Sequence, residues 1–248
     1  MNYVIATSAR SIKYHDIANY VKSINNQKIL PKIVYFVDDG KNPTGLNDFL
    51  KYSFKLNIKL IYIKNSNHLG IPKSLNKIIK ISEFPLIMRL DADDEWKSNH
   101  ASNLINIYKR NKSSLIIAEK KKINYLRKFL HDKYLVFDNP TIHSSWLINL
   151  NVNTSFRYII ELPEDYSTLS HYFRKGYKIY LTSNETTIYK NNPYGQSKNR
   201  FANKDICKIR KKNFTNYIKL FKNKGLNLEN FIEFFYINLL NLLNSFRK

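Results

Sequence analysis

Acids are scarce in this chain, which has 41 Lys+Arg against 19 Asp+Glu, and they gather where they could act together. The densest group is Asp91-Ala92-Asp93-Asp94-Glu95, four carboxylates in five residues directly after the short apolar run 85–90. Side chains two apart on extended backbone point the same way, so the spacing predicts Asp91 and Asp93 on one side at a strand's end. Two such carboxylates repel each other unless something positive lies between them, and the candidates are Arg89 or a divalent cation. Mg2+ and Mn2+ take oxygen ligands, and Mg2+ is commonly held by one or two carboxylates with water and substrate phosphate completing its shell. The chemistry indicated is the handling of a phosphorylated substrate. A polar loop with solvated acids capping the next helix is the plainer reading of the same residues.

Asp38-Asp39 and Asn67 to Gly70 stand, like Asp91 to Asp94, at the ends of predicted strands, and a separate acid pair opens a helix. Asp38-Asp39-Gly40 follows a predicted strand, Asn67 to Asn76 enters a helix through Gly70, Pro72 and Lys73, and Glu164-Asp165 follows Pro163. Pro163 suits a helix start, with both acids in the first turn and Gly176 as C-cap. Each cluster alone is a turn or a cap. The common strand-end position of the first three is the stronger signal. The periodicity predicts strands at 3–7, 32–37, 59–63 and 85–90, alternating with helices that begin near 12, 46 and 72. This alternation implies an α/β fold, a mostly parallel sheet flanked by helices, in which ligands bind outside the carboxyl ends of strands. A helix at 99–108 and strands at 115–118 and 177–181 complete the pattern, and a turn is expected at 194–197.

Composition narrows the class. The 248 residues are 43% apolar, include 18 Tyr and 15 Phe, and carry only 6 Gly and 7 Pro, so a globular chain without long flexible linkers is expected. One cysteine, Cys207, excludes an intrachain disulfide and suits a reducing compartment. The first residues lack the charged and apolar regions of a signal peptide, and no uncharged apolar run reaches the roughly 20 residues of a membrane span, so a cytoplasmic protein is expected. A net charge of +22 calls for a polyanionic neighbour: phosphorylated substrate, anionic membrane or nucleic acid. No zinc-finger or RNA-binding signature accompanies it, so nucleic acid is not expected. The tail is basic over 198–224 and amphipathic over 231–246, and serves equally as a peripheral contact with anionic lipid, a helix packed on the main domain, or a homodimer partner surface.

The order of Val37-Asp38-Asp39-Gly40, Asn67 to Asn76, Arg89-Leu90-Asp91-Ala92-Asp93-Asp94 and Glu164-Asp165 resembles family 2 glycosyltransferases of the GT-A fold. It is most similar to the bacterial branch that builds lipopolysaccharide, capsule and related surface glycans. The resemblance covers residues 3–200 and implies a GT-A (Rossmann-like) domain there, with a nucleotide-binding half at 1–97 and an acceptor-binding half at 98–200. The helical extension 201–248 is not covered. The resemblance places the donor nucleotide against Thr7, Asp38, Asp39, Gly70, Lys73, Asn76, Arg89 and Asp91. It places Mn2+ or Mg2+ on Asp93 with Asp91, and makes Asp165 the base, with Glu164 as the second candidate. The stretch Asn139-Pro140 to His143-Ser144 also resembles one that this branch carries before the base. His143, Trp146 and Trp96 are the acceptor-side candidates.

Two departures stand out. Many members have arginine before the asparagine at Asn76, where this chain has Leu75; Lys73 is the replacement cation. The Gln-x-x-Arg-Trp pattern of processive synthases is absent, because Phe201 follows Arg200. Taken together, the resemblance implies an inverting, metal-dependent transfer of one sugar, expected from a UDP-sugar, to a glycan or lipid-linked glycan hydroxyl. A non-catalytic basic protein on nucleic acid or anionic membrane is the alternative.

Overall fold

The computed structural model describes residues 1–121, 139–161, 163–190, 212 and 215. The expectations for Cys207, the turn at 194–197, nearly all of the basic segment 198–224 and the amphipathic tail 231–246 lie outside these residues.

Strand and helix alternate from the start: β1 (Val4–Ala9), α1 (Tyr14–Asn25), β2 (Ile33–Asp38), α2 (Leu46–Ser53), β3 (Lys59–Lys64), α3 (Ile71–Ile81) and β4 (Leu86–Arg89). There follow β5 (Glu95–Trp96), α4 (His100–Arg110), β6 (Ser114–Glu119), a 3-10 turn (His143–Ser145), β7 (Leu147–Asn149), α5 (Glu164–Arg174), β8 (Lys178–Thr182) and β9 (Thr187–Ile188). Among the described residues, seven strands form one sheet in the order β3-β2-β1-β4-β7-β6-β8. The pairs β3-β2, β2-β1 and β1-β4 are parallel, while β7 runs antiparallel to both β4 and β6. A small antiparallel pair, β5 with β9, stands apart.

Side chains alternate across the central strands, so each strand feeds two cores. Tyr3, Ile5, Val34, Phe36 and Met88 meet the apolar residues of α1, α2 and α4, among them Ile17, Leu50 and Leu104. Val4, Ala6, Tyr35, Val37 and Ile87 meet those of α3 and α5, including Leu75, Ile78 and Leu169. Burial on both faces explains why these strands are continuous apolar runs. The chain order reverses direction across the sheet between β1 and β4, the place where sheets of this kind leave a crevice for ligand. That crevice lies at the end where Asp38, Asp39 and the Asp91 cluster emerge.

Leu75 is fully buried in the second core, so its side chain faces inward, and Lys73 is the exposed cation of that first turn. One local expectation is corrected. β4 ends at Arg89, and Asp91 to Asp94 form a turn in which the Asp94 N–H donates to the Asp91 carbonyl at 3.1 Å. Extended-strand geometry therefore does not bring Asp91 and Asp93 together; the turn does. Among the described residues no helix is long and apolar enough to cross a membrane.

Candidate active site

The acids after β2 are consumed internally. Asp38 accepts from the Gly40 N–H at 2.9 Å, from Asn42 Nδ2 at 2.6 Å and from the Tyr62 hydroxyl at 2.6 Å. Asp39 is 3% exposed and accepts three hydrogen bonds, from Asn65 Nδ2, the Leu69 N–H and the Gly70 N–H, each at 2.8 Å, while His68 Nδ1 lies 2.7 Å away as an ion-pair partner. Burial pushes the Asp39 carboxyl up, but the donors of Leu69, Asn65, Gly70 and His68 outweigh it and hold the group below the usual carboxylate range. Gly70 has φ +81°, a conformation costly for any side chain, and this turns its N–H onto Asp39. A ribose or base contact with Asp39 has to displace one of these donors, and His68, whose side chain is 42% exposed, is the one at the surface.

Asn42 knits the neighbouring loop. Its Oδ1 accepts from the Ser11 and Ile12 N–H groups at 2.8 and 3.0 Å, while its Nδ2 donates to the Ala9 carbonyl at 2.9 Å and to Asp38. Ser11 is held at φ +119°, uncommon for a residue with a side chain. Such outliers mark places where surrounding contacts dictate the backbone.

The acids after β4 are in the opposite condition. Asp94 is nearly buried, bonded by the Ser144 hydroxyl and by the Lys190 N–H at 3.0 Å. Burial and the Asp91 charge nevertheless push its carboxyl up to about 7. Asp93 is raised as well, by burial first and by Asp91 second. Asp91 pairs with Arg89, and its Oδ2 lies 2.9 Å from Ser144 Oγ, whose one proton is shared between Asp91 and Asp94. Although Arg89 pairs with Asp91, burial and the Asp91 charge keep the Asp93 and Asp94 carboxyls raised. Among the described residues no three acids, histidines or cysteines cluster as a ready-made cation cage. Two adjacent carboxylates with substrate oxygens completing the shell suit Mg2+ or Mn2+, and the residual negative charge fits such an ion.

The third group enters from α5. Glu164 is buried and Asp165 is half-buried in the first turn of this helix. Asp165 Oδ1 accepts from the Tyr166 N–H at 2.7 Å, and Oδ2 accepts from Asn139 Nδ2 at 2.7 Å. Buried Tyr158 ties the parts together. Burial raises its phenol, and it also feels the charges of Arg89, Asp91, Glu164 and Asp165, so the β4 end and the α5 start converge on one locality. Asn76 Nδ2 donates to the Tyr158 carbonyl at 2.9 Å and its Oδ1 accepts the Tyr158 N–H at 2.7 Å.

The structure gives several of the expected site residues internal partners. The Asn76 amide is bonded to the Tyr158 backbone. Arg89 is fully buried, donating to the Ala6 and Leu90 carbonyls as well as Asp91, so it braces the β1–β4 junction. The Thr7 hydroxyl is buried between Tyr20 OH at 2.7 Å and the Leu90 carbonyl at 2.9 Å. Neither tryptophan offers a face to a sugar. Trp146 is fully buried, stacked on Tyr158, with its indole N–H on Thr141 Oγ1 at 2.8 Å. Trp96 is 3% exposed, stacked on His100, with its N–H on the Ser144 carbonyl at 2.7 Å. Lys73, Asp91, Asp93, Asp165 and half-buried His143 remain accessible. Ser144, Tyr158, Asn42 and Asn139 were not singled out by sequence; only the Asn139 to Ser144 stretch carried a signal.

A sequence profile described as Glycosyl transferase family 2 matches residues 4–181, most of the chain. The chain belongs to glycosyltransferase family 2. An uncharacterized glycosyltransferase of Methanocaldococcus jannaschii is 25% identical over 194 residues, which is 72% of this family 2 chain and 66% of that protein. Among solved structures, the mannosyltransferase PcManGT of Pyrobaculum calidifontis in complex with GDP-Man and Mn2+ superposes with a TM-score of 0.69 at 13% identity, over 99% of this chain and 71% of that one. S. aureus TarS in complex with UDP-GlcNAc gives 0.65 at 18% identity, over 88% and 67%. These likenesses establish the GT-A fold. The chain spans about two thirds of the length of these relatives.

Proposed function

We propose that this chain is an inverting, metal-dependent glycosyltransferase that moves one sugar from a nucleoside-diphosphate sugar to an acceptor hydroxyl. The observation that carries the reading is geometric: one segment, Asn139 to Ser144, is bonded both to the Asp91–Asp94 turn through Ser144 and to the carboxylate of Asp165 through Asn139. The donor lies in the crevice between β1 and β4. Asp39 and Gly70 shape one wall, and Lys73 in the first turn of α3 reaches the diphosphate. Asp93, with Asp91, would hold a divalent cation, which when bound would supply Lewis-acid stabilisation of the charge on the leaving diphosphate. Asp165 accepts the proton of the acceptor hydroxyl as its oxygen attacks the anomeric carbon. The new C–O bond forms as the bond to the β-phosphate oxygen breaks, and the nucleoside diphosphate departs. One displacement turns an α-linked donor into a β-linked product.

UDP-sugars are the expected donors; the neighbours crystallised with UDP-GlcNAc and GDP-Man support testing both nucleotides. The acceptor class we favour is a glycan or lipid-linked glycan of a bacterial surface polymer. The domain halves at 1–97 and 98–200, with 201–248 as an extension reaching an anionic membrane or a second copy, belong to the same proposal. The test is release of nucleoside diphosphate from UDP- and GDP-sugars with Mn2+, with EDTA, and with Asp165→Asn. Release that needs metal and is lost in the variant while nucleotide binding persists is the expected result. Full turnover by Asp165→Asn removes Asp165 from the role.

A further inference from the structure

Buried polar side chains need partners, and the partners of Asn139 form a directed chain that ends on Asp165. Trp146 is fully buried, and its indole N–H, which can only donate, bonds Thr141 Oγ1 at 2.8 Å. Thr141 is fully buried too, and its hydroxyl proton therefore points onward, to Asn139 Oδ1 at 2.6 Å. The Thr141 N–H donates to the same Oδ1 at 2.9 Å. Two donors on the carbonyl oxygen fix which end of the Asn139 amide faces Asp165. It is the NH2 group, and Nδ2 donates to Asp165 Oδ2 at 2.7 Å. A flipped amide would set its oxygen against the carboxylate and its NH2 against the Thr141 N–H.

We propose that Asn139 is a positioning residue, which aims the carboxylate of Asp165 through a hydrogen-bond chain anchored on Thr141 and Trp146. The proposal rests on the reading of Asp165 as the base. A helix N-terminus needs no such device for its own stability, since water or a neighbouring N–H satisfies an acid in the first turn. Here a half-buried acid is met instead by an amide that is 4% exposed and lies 26 residues away in sequence. With Tyr166 N–H on Oδ1 and Asn139 on Oδ2, the plane of the carboxylate is set. The remaining lone pairs are presented in a fixed direction. Trp146 thus serves the acceptor side as the anchor of the base.

The chain accounts for three residue types at once. Valine at 141 would keep the shape but remove the hydroxyl link, and phenylalanine at 146 would keep an aromatic ring but remove the terminal donor. Aspartate at 139 would set two carboxylates against each other. Misplacing a reacting group by about 1 Å can cost on the order of 10²-fold in rate, so loss of the aim is measurable even where the fold survives.

The test uses the whole chain with Mn2+ and reads nucleoside-diphosphate release from UDP-N-acetylglucosamine and GDP-mannose. Asn139→Ala is expected to lower kcat by about 10- to 100-fold with the donor KM within about twofold. Thr141→Val should lower kcat by about threefold to tenfold, because the backbone N–H still holds Asn139. In an Asp165→Asn background, Asn139→Ala should cost nothing further, since residues acting through one group do not add. A second readout needs no turnover: the Asn139 side-chain amide protons, followed by NMR, should be slow to exchange in the native protein and fast in Asp165→Ala. An Asn139→Ala protein that melts like the native one and keeps full kcat, beside an inactive Asp165→Asn, overturns the positioning role and leaves the base assignment standing. A fully active Asp165→Asn overturns the base assignment instead. Amide exchange unchanged by Asp165→Ala overturns the hydrogen bond itself.

Discussion

Asp39 and Asp93 follow two strands of one sheet, and the protein treats them in opposite ways. Burial pushes both carboxyls up, but three hydrogen-bond donors and His68 bring Asp39 below the usual range, whereas Asp93 stays raised by burial and by its neighbour Asp91. The supply of donors to Asp39 reverses the effect of burial. An acid given a full set of internal donors is a strut that fixes a loop, here the turn entering α3. An acid whose carboxyl stays raised is, on the proposed reading, a place for a cation.

Substitutions can break this contrast. The largest effect is expected for Asp93→Ala: nucleoside-diphosphate release should fall on the order of 10²-fold or more, as removal of a Lewis-acid ligand implies. The melting temperature of the free protein should hold or rise, since like-charge repulsion is relieved. Asp39→Ala should do the reverse to stability. It strands the buried donors of Asn65, Leu69 and Gly70, and urea denaturation should show a loss of about 2–4 kcal/mol.

A third acid extends the comparison. Glu119 is fully buried and accepts from the Thr186 N–H at 2.9 Å, the Thr186 hydroxyl and the Thr187 N–H at 3.0 Å, beside fully buried His100. Burial pushes its carboxyl up, but the bond and charge of His100 and the donors of Thr186 and Thr187 bring it down to about 2. Burial in turn lowers the His100 imidazole and favours its neutral form. Both groups are depressed, so both stabilise at higher pH and lose that stabilisation as pH falls. The histidine part should fade below about 6.5, its ordinary value, and the glutamate part from about 4.5 down toward 2. Acid titration of the unfolding free energy should show a loss of about 2–3 kcal/mol across the lower window. Glu119→Gln should flatten it. The smallest effects belong to the Ser11 loop. Ser11→Gly should stabilise by about 0.5–1 kcal/mol by relieving φ +119°, and Asn42→Ala should destabilise by about 1–2 kcal/mol.

Much of the scaffold was legible in the sequence because buried parallel strands write themselves as apolar runs. β1, β2, β3, β6 and α3 fall within one to three residues of the expected bounds. β7, only Leu147–Asn149, was missed because three residues carry no periodicity, and the β5–β9 pair for the same reason. The acid clusters were legible as clusters, but not their division of labour. Whether Asp39 meets three donors or none depends on the distant Asn65, Leu69 and Gly70, and no spacing rule reports it. Trp96 and Trp146 were legible as aromatic and near the site, but their indole donors face inward to Ser144 and Thr141. Side-chain direction in an irregular segment is set by tertiary packing, which sequence alone leaves open.

The central claim is that the surplus charge of the Asp91–Asp94 turn is the seat of a cation that carries the donor diphosphate. Thermal shift of the native protein and of Asp93→Ala, with UDP or GDP and with or without Mn2+, tests it most directly. A nucleotide at 100 times its dissociation constant adds about 2.7 kcal/mol of stability. The account predicts that one nucleotide stabilises the native protein only with Mn2+ and that Asp93→Ala loses this response. Equal stabilisation of Asp93→Ala, or of the native protein in EDTA, would contradict it.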